Sequence, residues 1–503
     1  MWHFISAMTL KNLIIYVFFC QIRNMNLSVI NGVLLFVPWI FICLPLNGYI
    51  HPDEFFQSTE PMASDILNVK AEKTWEWMSP QPCRNIAFPS IVAGLPFWIL
   101  KQLAAAFNLH LSTTLLVICP RITMGLILLL IDQMLNGYTK KLEFSNEQRQ
   151  LARFLFRSCH VTLVFFTKTF SNNVEALFFL AILILNNSKK NAHVTNIIIG
   201  FLTVSGFFVR QSLICFVVYP IAVKFINCIY MSNGFDRLSF KKSTQMLSSL
   251  FIGGLLAGMI CFFMDQSYFS MQIESWGSAL TPWNLMKYNN DINNLRHHGI
   301  HVWYLHLTVN MLLLFGPMYI ILLWKAMIIF KNNRLSLKDL LFSLLTPKTS
   351  LYFLAATLIP VFILSLVPHQ EPRYILPVLI PLIMFISQDV EILRIKRFFI
   401  AVCLFNLVGT CWFGFMHQAG VIPSVAYLRN NLETNENKTA LLVYWKTYKV
   451  PRHLFLWNKN DDKVVLKDMA GSDRESVQSE LRKGLANNID QVLFPLRLIE
   501  YSY

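Results

Sequence analysis

Apolar runs long enough to cross a bilayer recur along most of this chain. The pattern predicts helical spans near 29–47, 86–107, 114–135, 154–170, 174–187, 194–209, 212–230, 246–264, 303–330, 349–366, 372–388 and 398–416. Most approach the roughly 17–25 residues that a hydrocarbon core requires. The stretches between them alternate in character. Those at 136–153, 188–193, 231–245, 331–348 and 389–397 are basic, with pairs such as Lys140 and Lys141 or Lys241 and Lys242. Such a bias marks a cytosolic face. The other stretches hold the unusual polar residues and belong to a lumenal or extracellular face: 48–85, 167–173, 265–302, the "VPHQEPRY" loop and the tail. Parity fails at 86–107. Pro89, Pro96 and Lys101 make that run a poor simple span, so it enters and returns, or splits, unless Arg121 marks a misplaced boundary.

The expected fold class is therefore an all-α polytopic membrane protein. Residues 1–28 form a cytosolic or interfacial extension, 29–416 a transmembrane helix bundle of about 11–13 spans, and 417–503 a small C-terminal lumenal region. Composition agrees. Of 503 residues 55% are hydrophobic and 14% charged, with a mean hydropathy of +0.47. A soluble chain carries about a quarter charged. The net charge of +15 lies mostly in the basic loops, which excludes a nucleic-acid partner. The ten cysteines include no CxxC and indicate neither a disulfide framework nor a zinc site. The N-terminal apolar stretch is short and lacks a small-residue cleavage pattern, so a removed signal peptide is not expected; Met25 is an alternative start. Of the sequons at Asn26, Asn186 and Asn437, only Asn437 is expected to be lumenal and clear of a span.

Three stretches carry candidate chemistry. "HPDEFFQSTEP" follows the first long span and reads as a helix start, with Asp53, Gln57 and Glu60 on one face, Phe55 and Met62 toward lipid or core, and Pro61 kinking or ending the segment. Asp53 and Glu54 either complement a helix N-terminus or supply a general base at a membrane–water boundary. "PHQEPRY" sets His369, Glu371 and Arg373 between two spans, where the guanidinium either grips a phosphate or pairs with Glu371. Asp265 ends a span, and the segment after it mixes Trp283, Asn284, Lys287, Tyr288, His301 and Trp303: an interfacial aromatic belt or a sugar-binding rim. His297, His298 and His301 have no carboxylate or cysteine completing a metal spacing. There is no Gly-rich phosphate loop, no GxSxG and no Asp-x-Asp pair, so no metal-held nucleotide sugar and no cofactor is expected.

Taken in order, "HPDEFFQ", "TWEW", "HGIHVWYLH" and "PHQEPRYILP" resemble the lumenal, dolichol-phosphate-mannose-dependent mannosyltransferases of the GT-C superfamily, from about Tyr49 to Phe455. That family makes α-1,2 and α-1,6 linkages in glycosylphosphatidylinositol (GPI) anchor and N-glycan precursors. "SPQPCRNIAFPSIVAGLPFW", "MHQAGVIPS" and "VYWKTYKVPRHLF" are similar to the branch that adds a fourth mannose to the third mannose of the GPI precursor. The resemblance implies a multi-pass endoplasmic reticulum protein acting on dolichol-phosphate-mannose and a GPI-precursor glycolipid. It implies an acidic catalytic base in the first lumenal loop: Asp53 first, Glu54 second. Arg373, His369, Arg210 and Lys287 are then candidates for the donor phosphate. His51, Gln57, Asp265, Asn284, His301, Trp303 and Glu371 are candidates for the sugar and acceptor. A family member adding a different mannose is one rival. A polytopic lipid transporter is another, with Arg121, Arg157 and Arg210 near spans as its support.

Overall fold

The computed structural model describes residues 27–493, apart from 79, 189–190, 231–236, 271–275, 333–335, 434–438, 460–463 and 487–490. Met25, the sequons at Asn26 and Asn437, Lys189, Lys190 and Arg334 lie outside those residues, as do the side chains of His297 and His298. The protein is a bundle of helices with one small sheet. Among the described residues six helices are long and apolar enough to cross a membrane, the longest being Thr113–Lys141, Phe240–Phe269 and Arg397–Asn431. A bent pair, Lys338–Leu345 with Ser350–Ser365, is a further candidate.

Shorter apolar helices complete the bundle. Ser171–Asn186 and Pro372–Ser387 are each 16 residues, about 24 Å of α-helix in the first and about 28 Å in the second, whose Pro372–Val378 part is a 3-10 helix, against a hydrocarbon core of about 30 Å. The Leu379–Ser387 part of the second is wholly buried. A helix enclosed by neighbours on all sides need not match the lipid thickness.

Contacts sort the connections onto two ends of the bundle. At one end, Ile86 donates to Asp265, His301 to the Pro368 carbonyl, and Thr169 to the Glu54 carbonyl. At the other, Gln148 donates to Gln388, Lys348 pairs with Glu143, and Asn227 donates to Leu345. The run expected as a span at 154–170 is a broken crossing. A capping box of Ser145 and Gln148 starts the helix Asn146–Ser158, the helix stops before Cys159, and a π-turn covers Val161–Phe165. The run at 86–107 begins and ends at the same end: Ile86 is held by Asp265, while beyond it Leu111 accepts from Arg429 and Thr113 donates to Leu454. Ala87–Phe107 is nonetheless one continuous helix with no return bend, so an entering-and-returning run does not account for the parity break.

Small residues set the closest helix contact. Gly200 lies on the backbone of Leu250 and Gly253 on that of Ile197, so that a Cβ at either would strike a carbonyl. Ala192–Val209 and Arg237–Phe269 therefore pack backbone to backbone, as small residues permit inside membranes.

The tail has a fold that the sequence did not suggest. Ala440–Trp445 (β1) is the centre of a parallel sheet, with Val464–Ala470 (β2) and Gln491–Leu493 (β3) on its two sides. The strand reads as a continuous apolar run because both faces are covered. Leu441 and Val443 pack on the helix Arg474–Ala486 through Val477, and Leu442 and Tyr444 pack on the first loop and the helix Val421–Glu433. The tail thereby becomes a wall beside the first loop. Tyr49 donates to the Lys449 carbonyl, Lys449 and Arg452 pair with Glu72, and Lys70 donates to the Trp457 carbonyl.

Candidate active site

The first loop turns directly into helix after Pro52. Residues Phe55–Thr59 widen into a π-turn, with the Glu60 amide donating to the Phe55 carbonyl five residues back. This explains why Pro61 does not end the segment, contrary to the sequence expectation. The wider turn absorbs the missing donor and the ring, and the helix runs on from Glu60 to Leu67. The extra residue also separates the acids. Asp53 and Gln57 meet, with Gln57 Nε2 donating to Asp53 at 2.5 Å. Glu60 instead is fully buried against the tail, accepting from the backbone amides of Glu72 and His453 and contacting the His453 ring. Phe55 and Met62 pack in the core.

Asp53 is the centre of a charged cluster. Arg373 Nη1 stands 2.5 Å from it and His51 Nδ1 3.3 Å away, while Arg373 Nε binds Glu371. His369 Nε2 lies 2.9 Å from Glu371, its Nδ1 lies 2.9 Å from the Gly299 carbonyl, and His51 reaches Glu371 at 3.7 Å. Burial pushes the Asp53 carboxyl up, but Arg373 and then His51 outweigh it and hold the group well below the usual carboxylate range. For His369 burial lowers the imidazole pKa, and the bonds to Glu371 and to the Gly299 carbonyl raise it overall. At neutral pH the cluster thus holds an ionised acid beside a fixed guanidinium.

The adjacent Glu54 has a different environment. It is 1% exposed, and Arg121 grips it at 2.6 and 3.1 Å while Lys168 stands 3.1 Å from its other oxygen. Lys168 also donates to the Gly48 carbonyl at 2.7 Å. These buried charges staple the first loop to Thr113–Lys141 and to the 167–170 turn. Asp53, at 20% side-chain exposure, is the carboxylate of the pair that reaches open space.

A second arginine system borders the cluster. Gln57 also points Nε2 at Glu76, 3.4 Å away, and Glu76 accepts from Arg84 at 2.6 and 2.9 Å. Arg210 and Arg373 both stand over the Tyr374 ring, 5.3 and 5.6 Å from its centroid. Arg210 is itself held by Ser171 at 3.0 Å and by Glu175 at 3.6 Å. Tyr448 from the tail closes one side, near His51 and His417.

The structure therefore brings together Asp53, His51, Gln57, His369, Glu371 and Arg373, with Arg210 one ring away. His301 accepts from the Gln370 amide, its ring 5.7 Å from that of His369. Other sequence candidates stand apart. Asp265 is buried, accepting from Ile86 and Thr281, and Asn284 is buried on the Pro82 and Ser278 carbonyls, so both brace loops. Lys287 is exposed and makes no ion pair with a described residue. Trp303 is 58% exposed at the rim, edge-on to Tyr304. Among the described residues no group of three or more His, Cys, Asp or Glu is arranged to hold a metal ion. The candidate set lacked Glu76, Arg84 and Lys168. Arg121 had a legible signal, since an arginine in an apolar helix needs a buried partner.

An acid beside an arginine pair suits proton removal next to a leaving anion. The sequence profile of the Alg9-like mannosyltransferase family matches residues 32–457, most of the chain. The chain belongs to the Alg9-like mannosyltransferase family. It is a multi-pass membrane glycosyltransferase. Among its relatives, the chain is 31% identical to human GPI alpha-1,2-mannosyltransferase 4, over 90% of this chain and 80% of that one. It is 30% identical to GPI mannosyltransferase 4 of Schizosaccharomyces pombe, over 80% and 72%, and 25% identical to that of Saccharomyces cerevisiae, over 83% and 75%. No solved structure matches the chain significantly. As a member of the Alg9-like mannosyltransferases, the chain has to bring a mannosyl donor and an acceptor hydroxyl to one cluster. The Asp53–Arg373 pair sets an acid and a cation side by side, 2.5 Å apart.

Proposed function

We propose that the protein transfers mannose from dolichol-phosphate-mannose to a GPI-anchor precursor, adding the fourth mannose through an α-1,2 linkage at the lumenal face of the endoplasmic reticulum. The family and its GPI mannosyltransferase relatives support the reaction class. The carrying observation is the 2.5 Å contact between Asp53, near the start of the first loop, and Arg373. Asp53 accepts the proton of the acceptor 2-hydroxyl as that oxygen attacks the anomeric carbon. The bond from the anomeric carbon to the phosphate oxygen breaks, and its electron pair leaves with dolichyl phosphate. The donor is β-linked and the product α-linked, so a single inversion suffices. The phosphodiester monoanion becomes a monoester dianion, and Arg373, with His369 and Arg210 beside it, stabilises the added charge. Arg373 holds both Asp53 and Glu371, which fixes its guanidinium before any substrate arrives.

Asp53→Asn tests this. Transfer in microsomes from null cells should fall roughly 10²–10⁴-fold, as for loss of a general base, and the cells should accumulate a three-mannose GPI lipid. Transfer at the wild-type rate removes Asp53 as the base. Accumulation of a two-mannose lipid, or of an N-glycan intermediate, points instead to another step within the family.

A further inference from the structure

Proton removal and phosphate stabilisation leave Glu76 and Arg84 without a task, although both border Asp53. Glu76 sits in a short 3-10 turn of the first loop, Trp75–Trp77, within "TWEW". Two bonds pin that turn. Trp77 is buried and its Nε1 donates to the Phe56 carbonyl, in the turn that follows Asp53, while the Cys83 amide donates to the Glu76 carbonyl. The Glu76 carboxylate is thereby placed before any ligand arrives. Arg84 Nε and Nη2 both donate to its Oε1, at 2.9 and 2.6 Å, and its Oε2 turns toward Gln57.

Gln57 Nε2 is shared between the acids, 2.5 Å from Asp53 and 3.4 Å from Glu76. The two carboxylates therefore lie no more than two hydrogen bonds apart, close enough for neighbouring hydroxyls of one sugar ring to reach both. Glu76 and Arg84 also reach solvent, their side chains 12% and 18% exposed. The two neutralise each other, so together they present donors and acceptors without a net charge. That suits a polyol.

The same turn supplies an aromatic surface. Trp75 is 41% exposed and stacks on Tyr288 of the helix Thr281–Asn290, with centroids 4.1 Å apart. Burial, then Cys83 and Glu76, raise the Tyr288 phenol, which sets its ring beside the Glu76 turn. A sugar has C–H groups on its faces and hydroxyls around its edge. An aromatic surface next to a polar pair matches both.

We propose that Glu76, Arg84 and the Trp75–Tyr288 pair form the subsite for the terminal mannose of the acceptor, an assignment that rests on the transfer reading above. The attacking hydroxyl meets Asp53, its ring neighbour donates to Glu76 Oε2 and accepts from Arg84, and the sugar's apolar face lies on the aromatic pair.

Two measurements on full-length protein in nanodiscs test the subsite and the transfer reading separately. In the first, saturation-transfer NMR titrates methyl α-mannoside, which needs no turnover. Wild type should bind it. E76Q should lose affinity roughly tenfold or more, about what a hydrogen bond to a charged group is worth, and W75A about threefold or more. In the second, transfer to the three-mannose GPI lipid is followed with each substrate varied in turn. Both variants should raise the acceptor KM by those factors and leave the donor KM unchanged. W75A, at an exposed position, gives the reading if E76Q misfolds. The proposal is overturned if wild type shows no saturation transfer, or if the variants keep it. It is also overturned if the donor KM rises as much as the acceptor KM, because the subsite then holds the donor sugar. Mannoside binding that the variants lose, without transfer to the three-mannose lipid, supports the subsite and overturns that choice of acceptor instead.

Discussion

At the scale of the residue, two adjacent carboxylates have opposite duties because of what each touches. Glu54 is locked between Arg121 and Lys168 with almost no exposure. Removing its charge leaves two buried cations unpaired, so Glu54→Gln should destabilise the protein by about 3–5 kcal/mol, read as lost yield and a lower Tm in detergent. Asp53→Asn should lower Tm less than Glu54→Gln, because Glu371 still pairs with Arg373 when the Asp53 charge is gone, while transfer collapses. The reverse pattern would exchange the two roles. The low carboxyl of Asp53 sets a pH expectation with a definite sign. A base works deprotonated, and a carboxyl held below its usual range stays deprotonated as pH falls, so the acidic limb of the wild-type rate profile should lie below the ordinary carboxylate range. His51 contributes to that depression. His51→Gln should therefore move the limb to higher pH in the residual activity. A limb that stays in place shows that Asp53 does not set it.

At the scale of elements, the site depends on two unusual joints. The π-turn at Phe55–Thr59 lets a proline sit about two turns beyond the candidate base without breaking the helix, and turns Glu60 into the tail to meet His453. The second joint is the backbone contact of Gly200 and Gly253, which holds Ala192–Val209 against Arg237–Phe269. Those helices carry Arg210 as the C-cap of one and Asp265 near the end of the other. Gly253→Val forces them apart and should lower stability by about 1–3 kcal/mol, with Tm as the measure. An unchanged Tm would mean that the helices can separate freely at that point. Periodicity made these helices legible as apolar runs but not their contacts, because a glycine reads alike in a loose helix and in a tight crossing. The break at Cys159–His160 was likewise hidden, since a π-turn of apolar residues does not interrupt an apolar run.

At the scale of the molecule, the contacts divide the connections between two ends, and the proposed lumenal chemistry assigns one end to each compartment. In sealed microsomes a protease site placed at 471–473 should be protected, and one placed in the 188–193 loop should be cut. Cleavage at 471–473 would sink the lumenal reading together with its donor. The tail at the Asp53 end borders the candidate site, through Tyr448 and the ties from Lys449 and Arg452 to Glu72. The sequence by itself determined that the chain is a membrane bundle, and it pointed to the first loop and "PHQEPRY" as the candidate site. Hydropathy and charge act locally, over the length of a span or a loop, and so are written in order along the chain. Only the tertiary structure decided that Asp53 meets Arg373 while Glu54 does not, that Asp265 and Asn284 brace loops, and that the tail folds as a parallel sheet. Each of those is a pairing across hundreds of residues, fixed by burial and by which charged group finds a partner, and no local pattern records it.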